Sequence, residues 1–159
     1  MCPPAGRVRK ASKEDLEKIY EIERRSFPYP YSPWDFSYFL NREPQNFLVW
    51  ETEGEIVGYI VGNCQKDKLT IISIAVLPEF RRRGIGTALI KELIRKNTGS
   101  VRKVELQVRI SNLPAISLYQ KLGFTLIRRL PFYYRDGEDA YLFQKYIPKI
   151  KKENSPSTL

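Results

Sequence analysis

Two stretches of the sequence determine the fold: Leu69-Thr70-Ile71-Ile72-Ser73-Ile74-Ala75-Val76 and Arg81-Arg82-Arg83-Gly84-Ile85-Gly86-Thr87. The first is mostly apolar and predicts a strand buried on both faces. The second is a basic turn that leads into a segment with helical spacing of apolar residues, from Ile85 to about Lys96. Val101 to Ile110 then alternates like a strand. Strand, helix and strand at this spacing predict a βαβ crossover with two parallel strands.

The flanking sequence predicts further helices and strands. Helices are expected at 12–26, 32–40 and 113–122, and strands at 46–52, 55–64, 124–130 and 140–146. The pattern therefore predicts one α+β domain over residues 1–147, with a mixed sheet of about six to seven strands flanked by helices. Residues 148–159 are rich in Lys, Ser, Pro and Asn and predict a basic, flexible tail.

Composition excludes several kinds of chemistry. The 159 residues contain no histidine and only Cys2 and Cys64. The usual Cys/His zinc sites therefore cannot form, and we expect no metal. Mechanisms that need a histidine base are excluded as well.

Charge and targeting signals indicate the partners and the compartment. Lys and Arg number 27 against 18 Asp and Glu, a net charge of +9 that favours an anionic partner. Met1 to Gly6 carries no signal-peptide pattern, and no apolar stretch is long enough for a membrane span. We expect a cytoplasmic protein without a membrane partner.

The basic turn predicts a site for a phosphate or pyrophosphate. Gly84 and Gly86 let the backbone approach a ligand closely, and the helix that follows directs unpaired N–H groups towards it. The turn is not a P-loop, because no Gly-Lys-Ser/Thr follows, and Leu89 stands where a dinucleotide fingerprint needs its third glycine. An arginine-rich turn can also simply solvate a helix start, but its position after a buried strand favours the anion site.

These motifs resemble the GNAT acetyltransferase superfamily. Its signature for acetyl-CoA, Gln/Arg-x-x-Gly-x-Gly/Ala, is matched by Arg81, Gly84 and Gly86. Further matches follow in order along the chain: Ile74-Ala75-Val76, Gln107 to Asn112, Leu118 to Phe124, and Tyr133 to Tyr141. Together with the Phe27-Pro28-Tyr29-Pro30-Tyr31-Ser32 loop, they are most similar to protein N-terminal acetyltransferases, including the ribosomal-protein-alanine type and the archaeal and eukaryotic enzymes.

The resemblance implies how acetyl-CoA binds. Backbone groups of Ile74, Ala75 and Val76 would bond the pantetheine arm, and an N–H near Val76 would stabilise the oxyanion. The pyrophosphate would be held at the basic turn, whose residues are Arg81, Arg82, Arg83, Gly84, Ile85, Gly86 and Thr87. Asn112 matches a position near the cofactor, although a helix N-cap is the favoured interpretation.

The resemblance also implies catalytic residues. Tyr119 matches the tyrosine near the cofactor sulfur and would protonate the departing thiolate, although a helical tyrosine can also simply pack its ring. Some relatives carry a glutamate base where this chain has Gln107, and others a histidine where it has Thr70. We therefore predict deprotonation through water, which Gln107 would position, with an unidentified glutamate as the alternative.

Aromatic residues are candidates for the acceptor groove. Tyr29, Tyr31 and Tyr134 are predicted to bind a peptide, because tyrosine offers a rigid wall with a hydrogen-bonding tip. The resemblance supports Tyr31 and Tyr134, which match positions on the substrate side in relatives. Trp34 and Trp50 are predicted to pack inside the domain. Glu138 and Asp139 are predicted to hold the loop that carries Tyr134.

The sequence thus predicts an enzyme that transfers acetyl from acetyl-CoA to the N-terminal α-amine of proteins by direct attack in a ternary complex. Cys64 is predicted to be an inert strand residue, which argues against a ping-pong route. A lysine side chain or a small amine is the alternative acceptor. An RNA- or ribosome-binding module without catalysis is the alternative of another class, and the basic tail leaves ribosome association open. The preferred N-termini, an auxiliary subunit and the oligomeric state are not determined.

Overall fold

The computed structural model of the chain describes residues 5–148. It contains seven strands and four α-helices, with short 3₁₀ turns at Lys13–Asp15, Pro44–Asn46 and Pro78–Phe80. In chain order the elements are β1 (Arg7–Lys10), α1 (Leu16–Ser26), α2 (Pro33–Arg42), β2 (Phe47–Thr52), β3 (Glu55–Gln65), β4 (Lys68–Val76), α3 (Ile85–Asn97), β5 (Lys103–Arg109), α4 (Leu113–Lys121), β6 (Thr125–Leu130) and β7 (Ala140–Tyr146).

The predicted α+β fold with a mixed sheet is confirmed. Six strands lie where the sequence predicts them, and β1 is the seventh. Its four residues, Arg7–Lys10, carry three cations and lack an apolar alternation, so they give no strand signal of their own. The strand forms because β2 offers it a backbone edge, with Val8 opposite Trp50.

One parallel pair interrupts an otherwise antiparallel sheet of order β1-β2-β3-β4-β5-β7-β6. The parallel strands are β4 and β5, as the βαβ crossover through α3 requires. Their pairing covers only three positions, Lys68 with Lys103, Leu69 with Val104 and Thr70 with Glu105. Beyond Thr70 the strands diverge, and one edge of β4 is left without a paired strand.

The prediction that β4 is buried on both faces is wrong. Leu69, Ile71, Ser73 and Ala75 are buried, but the residues between them are only half-buried. Lys68 and Thr70 are half-buried although β5 pairs beside them, so the alternation of buried and half-buried residues runs along the whole strand. The apolar composition of β4 reflects its position in the middle of the sheet and does not mean that both of its faces are buried.

Helices cover both faces of the sheet. The buried Phe36 of α2 packs on Tyr59 of β3, with ring centroids 5.6 Å apart. On the opposite face, a Cβ at Gly58 would lie 3.3 Å from the Ala75 carbonyl oxygen and 3.4 Å from a methyl of Ile85. A side chain at position 58 would push the first turn of α3 away from β4, so glycine here sets the height of the basic turn above the strand.

Two further predictions concern single residues and the tail. Trp50 is buried, as predicted, but Trp34 is 81% exposed, so its predicted packing is wrong. Trp34 follows Pro33 in the first turn of α2, where the apolar face is already supplied by Phe36. The predicted tail, residues 148–159, lies outside the described residues except for Pro148. No helix within residues 5–148 is long and apolar enough to cross a membrane.

Candidate active site

The basic turn before α3 presents a run of unpaired backbone donors. Arg82 and Gly84 have left-handed φ angles of 62° and 82°. The first helical hydrogen bond runs from the Ala88 N–H to the Gly84 carbonyl, at 3.0 Å. Within residues 5–148, no N–H from Arg82 to Thr87 donates to a protein acceptor. Six consecutive free N–H groups at a helix N-terminus are an arrangement that suits an anion such as a pyrophosphate.

The three arginines of the turn point in different directions. Arg81 donates from Nε to the Val76 carbonyl, at 2.9 Å, and so ties the turn to the end of β4. Arg82 is exposed, and Arg83 lies 5.3 Å above the ring of Phe80. Arg81 therefore holds the turn against the strand, while Arg82 and Arg83 leave their charge at the surface beside the free N–H groups.

The unpaired edge of β4 ends beside this turn. Ile74, Ala75 and Val76 pair with β3 on one side, with Ala75 opposite Tyr59, and no strand among residues 5–148 pairs with them on the other. Free backbone groups on such an edge suit a ligand that carries amides, because amides reproduce the hydrogen bonds of a neighbouring strand. The predicted triplet and the predicted turn are therefore brought together at one end of the sheet.

Tyr119 lies on α4, which packs next to the turn. A Cβ at Gly86 would lie 3.6 Å from a methyl of Leu118, so the middle of α4 touches the start of α3. The Tyr119 ring is buried, with centroids 5.9 Å from Phe124 and 6.2 Å from Phe143. Burial, and secondarily the neighbouring Tyr134, raises the pKa of Tyr119 above its ordinary value. Near neutral pH the phenol therefore keeps the proton that a general acid would donate.

The Tyr119 hydroxyl is free to engage a ligand. It has no hydrogen-bond partner within the described part of the chain. Among the described residues, Trp50 Nε1 is the only side-chain polar atom that is both fully enclosed and without a partner. The Tyr119 hydroxyl is therefore not fully enclosed. The ring is therefore packed as a core residue, and its hydroxyl remains accessible. Packing describes the ring of Tyr119, and the predicted role as a general acid concerns its hydroxyl.

Gln107 and Asn112 are the other predicted residues of this region. Gln107 is half-buried on β5, on the same strand face as Glu105 and Arg109. Glu105 is already engaged by Lys68, at 3.1 Å, and by Gln144. Asn112 caps α4, with its Oδ1 accepting from the Ala115 N–H at 3.3 Å. The cap role predicted for Asn112 is confirmed.

Four tyrosines come together from two loops. Arg135 lies 5.7 Å from the Tyr29 ring and so joins the α1–α2 loop to the β6–β7 loop. Tyr133 and Tyr134 stack edge to face, with centroids 5.0 Å apart. Burial, then Glu23 and Tyr133, raises the pKa of Tyr31. Burial and Tyr133 raise the pKa of Tyr134 to about 12. Tyr29 and Tyr31 are 50% and 39% exposed, which leaves their rings available as the walls of a groove.

Carboxylates hold the loop that carries Tyr134. Glu138 accepts from Arg109 Nη1, at 2.8 Å, and from the Ser111 N–H, at 2.9 Å. Asp139 accepts from the Phe132 N–H, at 2.9 Å. The structure therefore shows the loop-holding role predicted for Glu138 and Asp139.

Two residues of the site were missed by the sequence reasoning. Arg109 lies over the Tyr134 ring, and the buried Glu23 accepts the Tyr31 N–H at 2.9 Å. Glu23 does carry a signal, since it falls on the apolar stripe formed by Leu16, Ile19, Tyr20 and Phe27. A charge on that stripe indicates a buried carboxylate. Arg109 gives no such signal, because its partners are distant in sequence.

The comparisons with known proteins agree with this geometry. The acetyltransferase (GNAT) family model matches residues 16–124. A Sulfurisphaera tokodaii protein named N-alpha-acetyltransferase is 40% identical over 150 residues, covering 86% of this chain and 90% of that protein. The structure of Ard1 from Thermoplasma volcanium aligns with a TM-score of 0.83 and 32% identity, covering 91% of this chain and 99% of Ard1. Arabidopsis thaliana NAA60, solved in complex with acetyl-CoA, aligns with a TM-score of 0.79 and 25% identity, covering 90% of this chain and all of NAA60.

The fold and the site therefore define an acyltransferase that takes its acyl group from a thioester of CoA. The chain belongs to the GNAT acetyltransferase family, and its predicted class of acetyl-CoA-dependent N-acetyltransferase is confirmed. Within residues 5–148, no group of three or more His, Cys, Asp or Glu side chains is placed to hold a metal ion.

Proposed function

We propose that this enzyme acetylates the N-terminal α-amine of proteins. The observation that carries the proposal is the meeting of Tyr29 and Tyr31 of one loop with Tyr133 and Tyr134 of the other, where Arg135 contacts the Tyr29 ring. These rings would form the walls of a groove for an extended chain end, and Tyr134 lies near Tyr119, whose pKa it helps to raise. A peptide held there would present its first amine to the end of β4. The name of the Sulfurisphaera relative supports the same acceptor.

Two groups of backbone atoms would bind acetyl-CoA, the acetyl donor. The N–H groups from Arg82 to Thr87 would hold the pyrophosphate, and the free edge at Ile74–Val76 would hold the pantetheine amides. Acetyl-CoA supplies a thioester carbonyl that an amine can attack directly. An N–H near Val76 would stabilise the oxyanion, and Tyr119 would give its proton to the departing sulfur.

Direct attack in a ternary complex requires no cysteine nucleophile. Cys64 lies on β3 opposite Leu69, at the end where β4 and β5 are still paired. Its Sγ donates to Asn97 Oδ1, at 3.2 Å. Burial, and then Glu43, raises the pKa of the Cys64 thiol, which keeps it protonated. These features argue against an acetyl-cysteine intermediate on this residue.

The acceptor amine itself explains why a strong base is not needed. An α-amine has a pKa of about 7.7–8.0, so roughly a tenth to a fifth is neutral at pH 7, whereas lysine is near 10.4. Gln107, half-buried and on the strand face that leads to Tyr134 through Arg109, would position the water that removes the proton.

The test compares acceptors on one peptide scaffold. Peptides with a free N-terminus and no lysine, and N-terminally blocked peptides with one lysine, are incubated with acetyl-CoA and mapped by mass spectrometry. We expect modification of the first set, and varying the first two residues then gives the preference. Modification confined to the lysine peptides would assign the alternative acceptor and overturn the proposal.

A further inference from the structure

Glu23 is a carboxylate buried under the acceptor loop. It lies on α1 and is 2% exposed. Its Oε1 accepts from the Tyr59 hydroxyl and from Ser73 Oγ, the latter at 2.8 Å. Its Oε2 accepts the Tyr31 N–H, at 2.9 Å. Within residues 5–148, no Lys or Arg forms an ion pair with it, so its hydrogen-bond donors are three neutral groups.

Two contact paths connect Tyr59 of the sheet with Tyr31 of the acceptor loop. The first passes through Glu23, from the Tyr59 hydroxyl to the Tyr31 N–H. The second passes through Phe36, whose ring centroid lies 5.6 Å from Tyr59 and 6.2 Å from Tyr31. The packing path fixes the Tyr31 ring, and the Glu23 path fixes its backbone.

The sheet end of both paths is Tyr59 of β3, which lies beside β4, the strand whose free edge would bind the donor. Tyr59 pairs with Ala75 across β3 and β4, and Ser73 precedes Ile74 on β4. Glu23 therefore binds two residues that support the predicted pantetheine triplet and one residue of the predicted acceptor groove. A shift of this carboxylate would move the acceptor loop relative to β4.

We propose that Glu23 is a positioning residue that aligns the acceptor amine with the acetyl group, an inference that rests on the proposed function. It does not take the amine proton itself, because its oxygens are occupied by three donors and closed to solvent. Misplacing reacting atoms by about 1 Å can cost on the order of a hundredfold in rate. Loss of the carboxylate is therefore expected to affect the acceptor reaction more than donor binding.

Two substitutions separate the hydrogen bonds from the packing. Glu23→Ala removes all three acceptor contacts, and we expect the peptide kcat/KM to fall about tenfold to a hundredfold. Acetyl-CoA affinity, measured by calorimetry, should stay within about twofold, because the turn and the β4 edge remain. Glu23→Gln keeps an oxygen for the Tyr31 N–H and turns its amide towards the hydroxyls, so it should rescue most of the peptide kcat/KM. An equal loss in donor affinity and peptide kcat/KM, or no rescue by Gln, overturns the proposal.

Glu43→Ala is the matched control. Glu43 ends α2 and accepts from the Cys64 N–H, at 2.8 Å, and from Asn46, at 3.0 Å. It ties a helix to β3 as Glu23 does, but at the closed end of the β4–β5 pair. We expect this variant to lose stability while its peptide kcat/KM stays within about twofold of the parent's. A loss as large as that of Glu23→Ala would show a general effect of destabilisation and overturn the inference.

Hydrogen exchange tests the contact without an assay of activity. The Tyr31 amide is expected to be protected in the parent and to exchange at least about tenfold faster in Glu23→Ala. Unchanged protection overturns the inference even if peptides are acetylated. If the parent acetylates no peptide N-terminus, the proposed function fails, while exchange still reports on the contact. Should Glu23→Ala not fold, Tyr59→Phe and Ser73→Ala must each lower the peptide kcat/KM without changing donor affinity, and unchanged values overturn the proposal.

Discussion

Arg109 lies over the ring of Tyr134, with its Cζ 4.2 Å from the ring centroid. The same guanidinium bonds Glu138, at 2.8 Å, and Asp136, at 2.9 Å. One side chain of β5 thus holds both the aromatic wall and the carboxylates of the β6–β7 loop. Strand β5 also carries Gln107. The same strand therefore holds the β6–β7 loop and positions the residue that is predicted to bind the water.

Arg109→Gln tests this anchor. Loss of the ring contact and of both ion pairs should raise the peptide KM about tenfold, while the KM for acetyl-CoA stays unchanged. Steady-state kinetics with one substrate saturating measures each value. Arg129→Gln is the control, because Arg129 pairs with Asp139 in the same hairpin but lies over no aromatic ring in the described part of the chain. Equal effects of the two variants would remove the special role of Arg109.

Tyr119→Phe tests the general acid. The variant keeps the buried ring and removes only a hydroxyl without a protein partner, so stability should be nearly unchanged. We expect kcat to fall by about 10² to 10⁴, with little change in the Kd for acetyl-CoA. Stopped-flow detection of the released thiol measures kcat, and calorimetry measures the Kd for acetyl-CoA. Tyr20→Phe on α1 should retain full turnover, and full turnover in Tyr119→Phe would exclude this residue from the chemistry.

Gly84→Ala tests the anion site. Its left-handed φ of 82° should cost about 1–2 kcal/mol of stability with a Cβ present. The altered backbone would also misdirect the free N–H groups, so the Kd for acetyl-CoA should rise. Gly54→Ala is the matched control, since Gly54 has a φ of 79° in the β2–β3 hairpin and open space around it. Unfolding by urea should show a similar loss for both, and an unchanged Kd in Gly84→Ala would contradict the binding role.

The pH profile tests how the acceptor loses its proton. If no group of the enzyme removes the proton, kcat/KM for the peptide should rise with pH and level off near about pH 8, the pKa of the α-amine. Tyr119 stays protonated over this range because burial raises its pKa. Gln107→Ala should lower the plateau and leave the midpoint in place. A midpoint near pH 6 or below would reveal an ionising base of the enzyme.

Asp15 makes the free energy of unfolding depend on pH in the acid range. Burial opposes its ionisation, but hydrogen bonds from Arg9, at 2.7 Å, and Ser12 outweigh that effect and lower the pKa of Asp15. The stabilisation is therefore present above the unfolded pKa of about 3.9 and is lost as the pH falls through the folded value. Urea unfolding should show Asp15→Asn less stable by about 1–3 kcal/mol at pH 7, with a difference that shrinks as the pH is lowered below about 3.9. A difference that does not change with pH would contradict this linkage, and Glu14→Gln, at the exposed neighbouring position, should show none.

The local elements and their order were accessible from the sequence. Capping residues such as Ser32 with Asp35, the glycines of the basic turn and the apolar periodicity of α3 act within a few residues of chain. Short-range signals of this kind predict helices, strands and the crossover, and their order carries the resemblance to the GNAT family. The error at Trp34 arose because composition alone does not say which aromatic residue of a helix faces the sheet.

The alignment of donor and acceptor was decided only by the tertiary structure. The divergence of β4 from β5 after Thr70, the stacking of Arg109 on Tyr134 and the contacts of Glu23 join residues that lie far apart in the chain. Nothing in the neighbouring sequence specifies such partners. They are determined by the sheet register and by the need of each buried polar group for a hydrogen bond, and both depend on the whole domain being folded.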